Sequence, residues 1–195
     1  GTFKGNLNLK KINIKKIDDY FIKSKRLKGY IDIFIETDNP INIGNITNLN
    51  GNFNGTINVI LSNEEKVLID FIQSLTTNVE DLKFVNQVSK KLVNLYANKP
   101  IKITGEISNL NKDKYEINNL ILKLSEEEYI KSNLKISEKN LELVLFDIFN
   151  DEDFLLAKKN NNYSFQRKNK NGIIELNSKD IIEKNITKIF ENLLN

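Results

Sequence analysis

Carboxylates are the groups in this chain best suited to chemistry, and they gather at Glu126-Glu127-Glu128 and Asp151-Glu152-Asp153. Neighbouring acids can divide the roles of general acid and general base when their surroundings push their pKa values apart. Neither triplet belongs to a motif, however, and both fall between expected strands, where solvated charge is the ordinary outcome. Calcium would need spaced oxygen ligands around a glycine turn, which neither triplet offers. Histidine and cysteine are absent altogether. Their absence removes Ser-His-Asp and Cys-His systems, thiolate nucleophiles, disulfides and zinc sites of the Cys/His kind. No G-x-G-x-x-G or phosphate-loop motif is present either. The chain is expected to be non-catalytic, with no cofactor and no metal.

Charge points away from nucleic acid. The 29 basic and 26 acidic residues leave a net charge of +3, whereas nucleic-acid binders concentrate basic residues on one face. The abundance of Lys, Asn and Ile reads as the codon usage of an AT-rich genome. Methionine is absent, at position 1 as elsewhere, so the chain is expected to be a fragment of a larger protein, with Gly1 the remnant of a cleaved tag. A share of 39% hydrophobic and 28% charged residues is that of a chain able to bury a core. No run of about 18 apolar residues exists to span a bilayer, so any anchor would lie upstream. The lack of cysteine is compatible with an oxidising compartment.

The elements that would position any site are mostly strands. Phe3, Gly5, Leu7 and Leu9 alternate with polar residues, as in a sheet with one wet face. Ile31, Ile33 and Ile35 follow the same period, and Asp38-Asn39-Pro40 turns the chain. Phe53, Gly55, Ile57, Val59 and Leu61 define the clearest strand. Ser62 and Glu65 then have capping-box spacing, which predicts a helix over 63–76 carrying Val67, Leu68, Phe71, Ile72 and Leu75. Thr77 and Glu80 repeat that spacing ahead of a second stripe, Leu82, Val85, Val88, Leu92 and Leu95, which ends before Pro100. Alternation returns in Ile101, Ile103, Gly105 and Ile107, in Leu120, Leu122 and Leu124, in Ile130, Leu134 and Ile136, and in Leu141, Leu143 and Leu145. Weaker strands are expected over 153–158 and 162–167, and Asn171-Gly172 predicts a hairpin turn before Ile173–Leu176. A last amphipathic helix over 180–194 shows Ile182, Ile186, Ile189 and Leu193 on one side.

The expected fold class is therefore α+β, with residues 2–195 forming one domain: strands over 2–62, a two-helix insertion over 63–98, strands over 100–177 and a C-terminal helix. The strands should form a curved antiparallel meander. If the helices leave its dry face partly uncovered, that face becomes an elongated apolar trough suited to acyl chains. If they cover it, the same residues are simply core.

Leu27-Lys28-Gly29, Leu49-Asn50-Gly51 and Ile103-Thr104-Gly105 each set an apolar residue, a polar one and a glycine at or within an alternating strand. In Leu27-Lys28-Gly29, in Gly44–Val59, in Lys99–Leu110, in the strands of Tyr115–Ile148 and in the closing amphipathic helix, about two thirds of the chain resembles the AsmA-like, TamB-related family of Gram-negative envelope proteins. The resemblance implies a periplasmic location with the parent protein anchored in the inner membrane. It also implies a hydrophobic groove on curved sheets, lipid binding or transfer between inner and outer membranes, and a part in outer-membrane biogenesis. No catalytic residues come with it. The groove-lining candidates are Phe53, Ile57, Val59, Ile101, Ile103, Leu120, Leu122, Leu134, Ile136, Leu143 and Leu145, and the implied partners are a phospholipid or other acyl-chain ligand and the rest of the parent protein. Two rivals stand beside this reading: an extracytoplasmic interaction or adhesin-like module with a filled core, and a hydrolase whose fold gathers distant carboxylates.

Overall fold

In the computed structural model, the residues described are 2–3, 5–17, 19, 28–42, 49–93, 95, 99–111, 114–149, 152–160, 162–175 and 178–194. The alternating segments become β1 (Thr2–Phe3), β2 (Asn6–Asn13), β3 (Gly29–Thr37), β4 (Ile41–Asn42) and β5 (Gly51–Val59). After the helical insertion come β6 (Ile101–Asn111), β7 (Lys114–Lys123), β8 (Tyr129–Ser137), β9 (Asn140–Phe149), β10 (Glu152–Lys159), β11 (Asn162–Asn169) and β12 (Gly172–Glu175). Ten of these form one open sheet in the order β12-β11-β10-β9-β8-β7-β6-β5-β3-β2, and β1 pairs with β4 alone. Every neighbouring pair is antiparallel. The fold is thus α+β, built on an antiparallel meander. The expected first strand is divided: Phe3 lies in the two-stranded pair, whereas Leu7 and Leu9 face Ile35 and Ile33 in the large sheet.

Register slips supply curvature, because an extra residue on one strand bends it and increases its twist. The pairing shifts between Leu9 and Ile12 on β2 and between Ile117 and Leu120 on β7. Lys11 and Asn119 sit within these slips at φ 53° and 51°. Each backbone N–H freed from the ladder finds a side chain instead. Lys11 N donates to Asp32 Oδ1 at 2.6 Å, and Asn119 N to Asn133 Oδ1 at 2.9 Å. Gly29 opens β3 at φ +133°, a conformation that side-chain-bearing residues rarely adopt. Gly105 serves packing. A Cβ there would lie 2.8 Å from Phe53 Cζ, so the bare backbone is what lets the Phe53 ring lie down on the neighbouring strand.

The helices are α1 (Ile14–Ile17), α2 (Asn63–Leu75), α3 (Lys83–Val93) and α4 (Ser178–Leu194). The capping box of α2 forms as its spacing predicts: Glu65 N donates to Ser62 Oγ at 3.2 Å and Ser62 N to Glu65 Oε2 at 2.6 Å. The second predicted box does not form. Thr77 Oγ1 donates back to Gln73 O at 2.8 Å, so it finishes α2, and α3 is entered through a 3-10 turn at Glu80–Leu82 with no side-chain cap. The turn after β11 is made by Lys170 and Asn171, with Gly172 already paired to Asn169. Leu176 lies outside the described residues.

Polar side chains hold the helices together. Asn86 is buried, and its Nδ2 donates to Gln73 O at 2.8 Å and to Thr76 Oγ1 at 3.2 Å. Helix ends leave carbonyls unbonded, and α4 satisfies those of α2: Asn192 Nδ2 donates to Leu75 O at 3.0 Å and Thr77 O at 2.7 Å. The apolar stripes are contact faces only in part: Ile72 and Leu75 of α2, Val85, Val88 and Leu92 of α3 and Ile189 of α4 are half-buried. Val67, Leu68 and Phe71 on α2, with Ile182, Ile186 and Leu193 on α4, are exposed. On α4 the docking runs through Asn185 and Asn192, seven residues apart and so on one side of the helix, which leaves Ile182, Ile186 and Leu193 outward.

Candidate apolar sheet face

The ladder registers decide which residues share a face, because directly paired residues point the same way. Ile35 pairs with Phe53, Phe53 with Gly105, Ile57 with Ile101, and Ile103 with Leu122. Leu122 pairs with Ile130, Leu120 with Ser132, Leu134 with Leu143, Ile136 with Leu141, and Ser132 with Leu145. Following this chain of pairs and the two-residue repeat, all eleven groove candidates fall on one face. Phe53, Ile101 and Ile103 are buried; Ile57, Val59, Leu120, Leu122, Leu134, Ile136, Leu143 and Leu145 are half-buried. None of them is fully exposed.

The two ends of this face differ. Around β3, β5 and β6 it forms the core, where Ile35, Leu49, Phe53 and Ile103 pack together with Leu7, Leu9, Ile31, Ile33, Ile57, Ile107, Ile117, Leu120 and Leu122. At β10 a helix closes over it, as the Phe84 ring of α3 stacks on Phe154 with centroids 3.7 Å apart. Between these ends lie Leu134, Ile136, Leu143 and Leu145, with Ser132 among them. Ser132 is 1% exposed, and its hydroxyl has no hydrogen-bond partner. A polar atom in that position makes the surface less than uniformly oily.

Four acids of the two triplets, Glu126, Glu127, Glu128 and Asp153, have described side chains. Glu126, Glu127 and Glu128 are exposed in the β7–β8 turn, where Lys123 Nζ binds Glu126 Oε2 at 2.6 Å and holds that carboxyl below its usual range. Asp151 lies outside the described residues, and Asp153 is on the face opposite the apolar row, across from Lys168. Among the described residues no group of three His, Cys, Asp or Glu could hold a metal ion.

One cluster escapes a reading by stripes. Asp81, in the 3-10 turn, accepts from Asn185 Nδ2 at 2.9 Å and pairs with Lys184 Nζ at 2.9 Å. The Asn185 hydrogen bond, the Lys184 hydrogen bond and charge, and the nearby Arg167 guanidinium of β11 together hold its carboxyl below the ordinary value. Asp81 therefore ties α4 to the inserted helices. No local pattern marks it, because its partners lie far along the chain.

Fold and face together define an open antiparallel meander with one mainly apolar side, interrupted by Ser132 and Lys158, and a hydrogen-bonded helical cluster at its β10–β11 end. Comparison with protein-family models, curated proteins and solved structures finds no match.

Proposed function

We propose that the chain is a non-catalytic envelope module that binds or transfers lipid between inner and outer membranes through its apolar sheet face. The observation that carries this reading is the row Leu134, Ile136, Leu143 and Leu145, half-buried on two adjoining strands beyond the core packed around β3, β5 and β6. Such a row offers acyl chains apolar area without demanding a particular headgroup, at about 25 cal/mol per Å² removed from water. The resemblance to AsmA-like proteins supports a periplasmic setting, with the inner-membrane anchor and the outer-membrane role belonging to the parent protein. No described helix is long and apolar enough to cross a membrane.

The test is mass spectrometry of lipids that co-purify with the chain, joined to uptake of a fluorescent fatty acid. Acyl ligand recovered from wild type and lost in Ile136→Glu supports the reading. A lipid-free protein that takes up no probe overturns it. The burial of Phe53, Ile101 and Ile103 favours a second reading, an extracytoplasmic interaction module whose face is wholly filled; that reading expects no uptake and no change in Ile136→Glu beyond stability.

A further inference from the structure

The strand β9 carries apolar residues on both sides in its central stretch. Leu141, Leu143 and Leu145 belong to the row above, whereas Val144 and Phe146 point the other way, where Val144 pairs with Leu155 of β10. One face of an antiparallel sheet is commonly solvated and polar, whereas here Val144 and Phe146 line a depression of about 360 Å³ on that second face. Val144, Phe146, Leu155 and Ile173 form its floor, and Ile173 is 66% exposed. Glu116, Lys135, Glu142, Asp153 and Lys168 form its rim. Lys135 stands in register between Glu116 and Glu142 and turns to Glu116, with Nζ 3.2 Å from Oε1. Asp153 stands opposite Lys168. The rim thus sets three carboxylates against two ammonium groups around an oily floor, in a volume within the usual range for small-molecule sites, roughly 300–1,000 Å³.

We infer that this depression is a second binding site, separate from the lipid-facing row, for a small amphipathic cation: an alkyl or aryl chain ending in an ammonium group. The chain covers Val144, Phe146, Leu155 and Ile173, and the ammonium group meets the carboxylate of Glu142 at the rim. The excess negative charge sets the preference for a cation, and the floor supplies most of the contact.

Octylammonium and octanoate have equally long chains and opposite charge, so the pair separates the two contributions. Titration of the whole chain, followed by methyl NMR shifts and calorimetry, is expected to move the Val144, Leu155 and Ile173 signals with octylammonium. Octanoate should bind about tenfold more weakly, a difference of the size expected for partly solvated charges. Glu142→Gln should bring the two affinities together, and Ile173→Ser, at an exposed position, should weaken both. Equal binding of the two probes to the wild type would overturn the proposal. So would shifts confined to Leu143 and Leu145, which would place the probe on the lipid row, or a dimer that buries Phe146 and excludes octylammonium.

Discussion

The Phe84 and Phe154 rings lie parallel, 3.7 Å apart with 10° between their planes, and join the helical insertion to a strand seventy positions later. Phe154 is 3% exposed, so Phe154→Ala should lower stability by about 3–5 kcal/mol through lost contacts and an incompletely collapsed cavity. Chemical denaturation of both single mutants and the double mutant should show a coupling of about 0.5–1.5 kcal/mol, as for other aromatic pairs. Strict additivity would mean that the stack does not hold helix to sheet.

Gly105 tests the close approach of Phe53. A methyl group placed 2.8–2.9 Å from the Phe53 ring atoms must displace a buried side chain, so Gly105→Ala should cost about 1–3 kcal/mol. Adding Phe53→Leu should recover part of that loss in the same urea titration. No recovery would show that backbone conformation, not the ring, excludes the side chain.

Asn119 tests the bulge. Its φ of 51° suits Asn and Gly and opposes β-branched residues. Asn119→Gly should change stability little, whereas Asn119→Val should cost on the order of 1–3 kcal/mol, as for other strained backbone positions. Equal effects of the two changes would contradict the local geometry.

Asp81 makes stability depend on pH. A carboxyl whose folded pKa lies below its unfolded value contributes in full above the unfolded pKa, about 3.9 for Asp, and loses that contribution as pH falls through the folded pKa. Asp81→Asn should therefore destabilise at neutral pH and flatten the stability profile below about pH 4. Thermal melts of both proteins across that range should converge at the acid end. A constant gap would assign the effect to shape rather than charge.

Ser132 offers a gain. Its buried hydroxyl lacks a partner, so Ser132→Ala should be neutral or stabilising by up to about 1–3 kcal/mol, the cost of an unsatisfied polar group. A marked loss on calorimetric melting would reveal a hydrogen bond to a bound molecule on the apolar face.

Much of the architecture is legible in the sequence because period-2 alternation and ladder register express the same constraint. Leu120, Leu134 and Leu143 could be assigned to one face before any pairing was known, and the Ser62–Glu65 box marks its helix start through a purely local exchange of hydrogen bonds. The misreadings arise where a local pattern competes with distant partners. Thr77 has the spacing of a cap yet bonds backwards to Gln73. The stripe of α4 reads as a packing face, yet Asn185 and Asn192 orient the helix through Asp81, Leu75 and Thr77, more than one hundred positions away. Codon usage can explain why asparagine is abundant; it says nothing about which asparagines hold the helices together. The two-sided dryness of β9 is visible in Leu143-Val144-Leu145-Phe146, but only the Val144–Leu155 register shows that it continues onto the next strand.

The β5–β6 ladder runs unbroken to the pair Ile57–Ile101, so the polypeptide departs from the meander and rejoins it at a single doorway. Closing a long excursion costs only about 0.6 kcal/mol more per doubling of its length, and the flanking strands keep their partners whatever hangs between them. The helical branch thus leaves the β5–β6 register undisturbed at its base and is fastened to the sheet at its far side, where Phe84 meets Phe154, so its length can vary only where that clasp is kept.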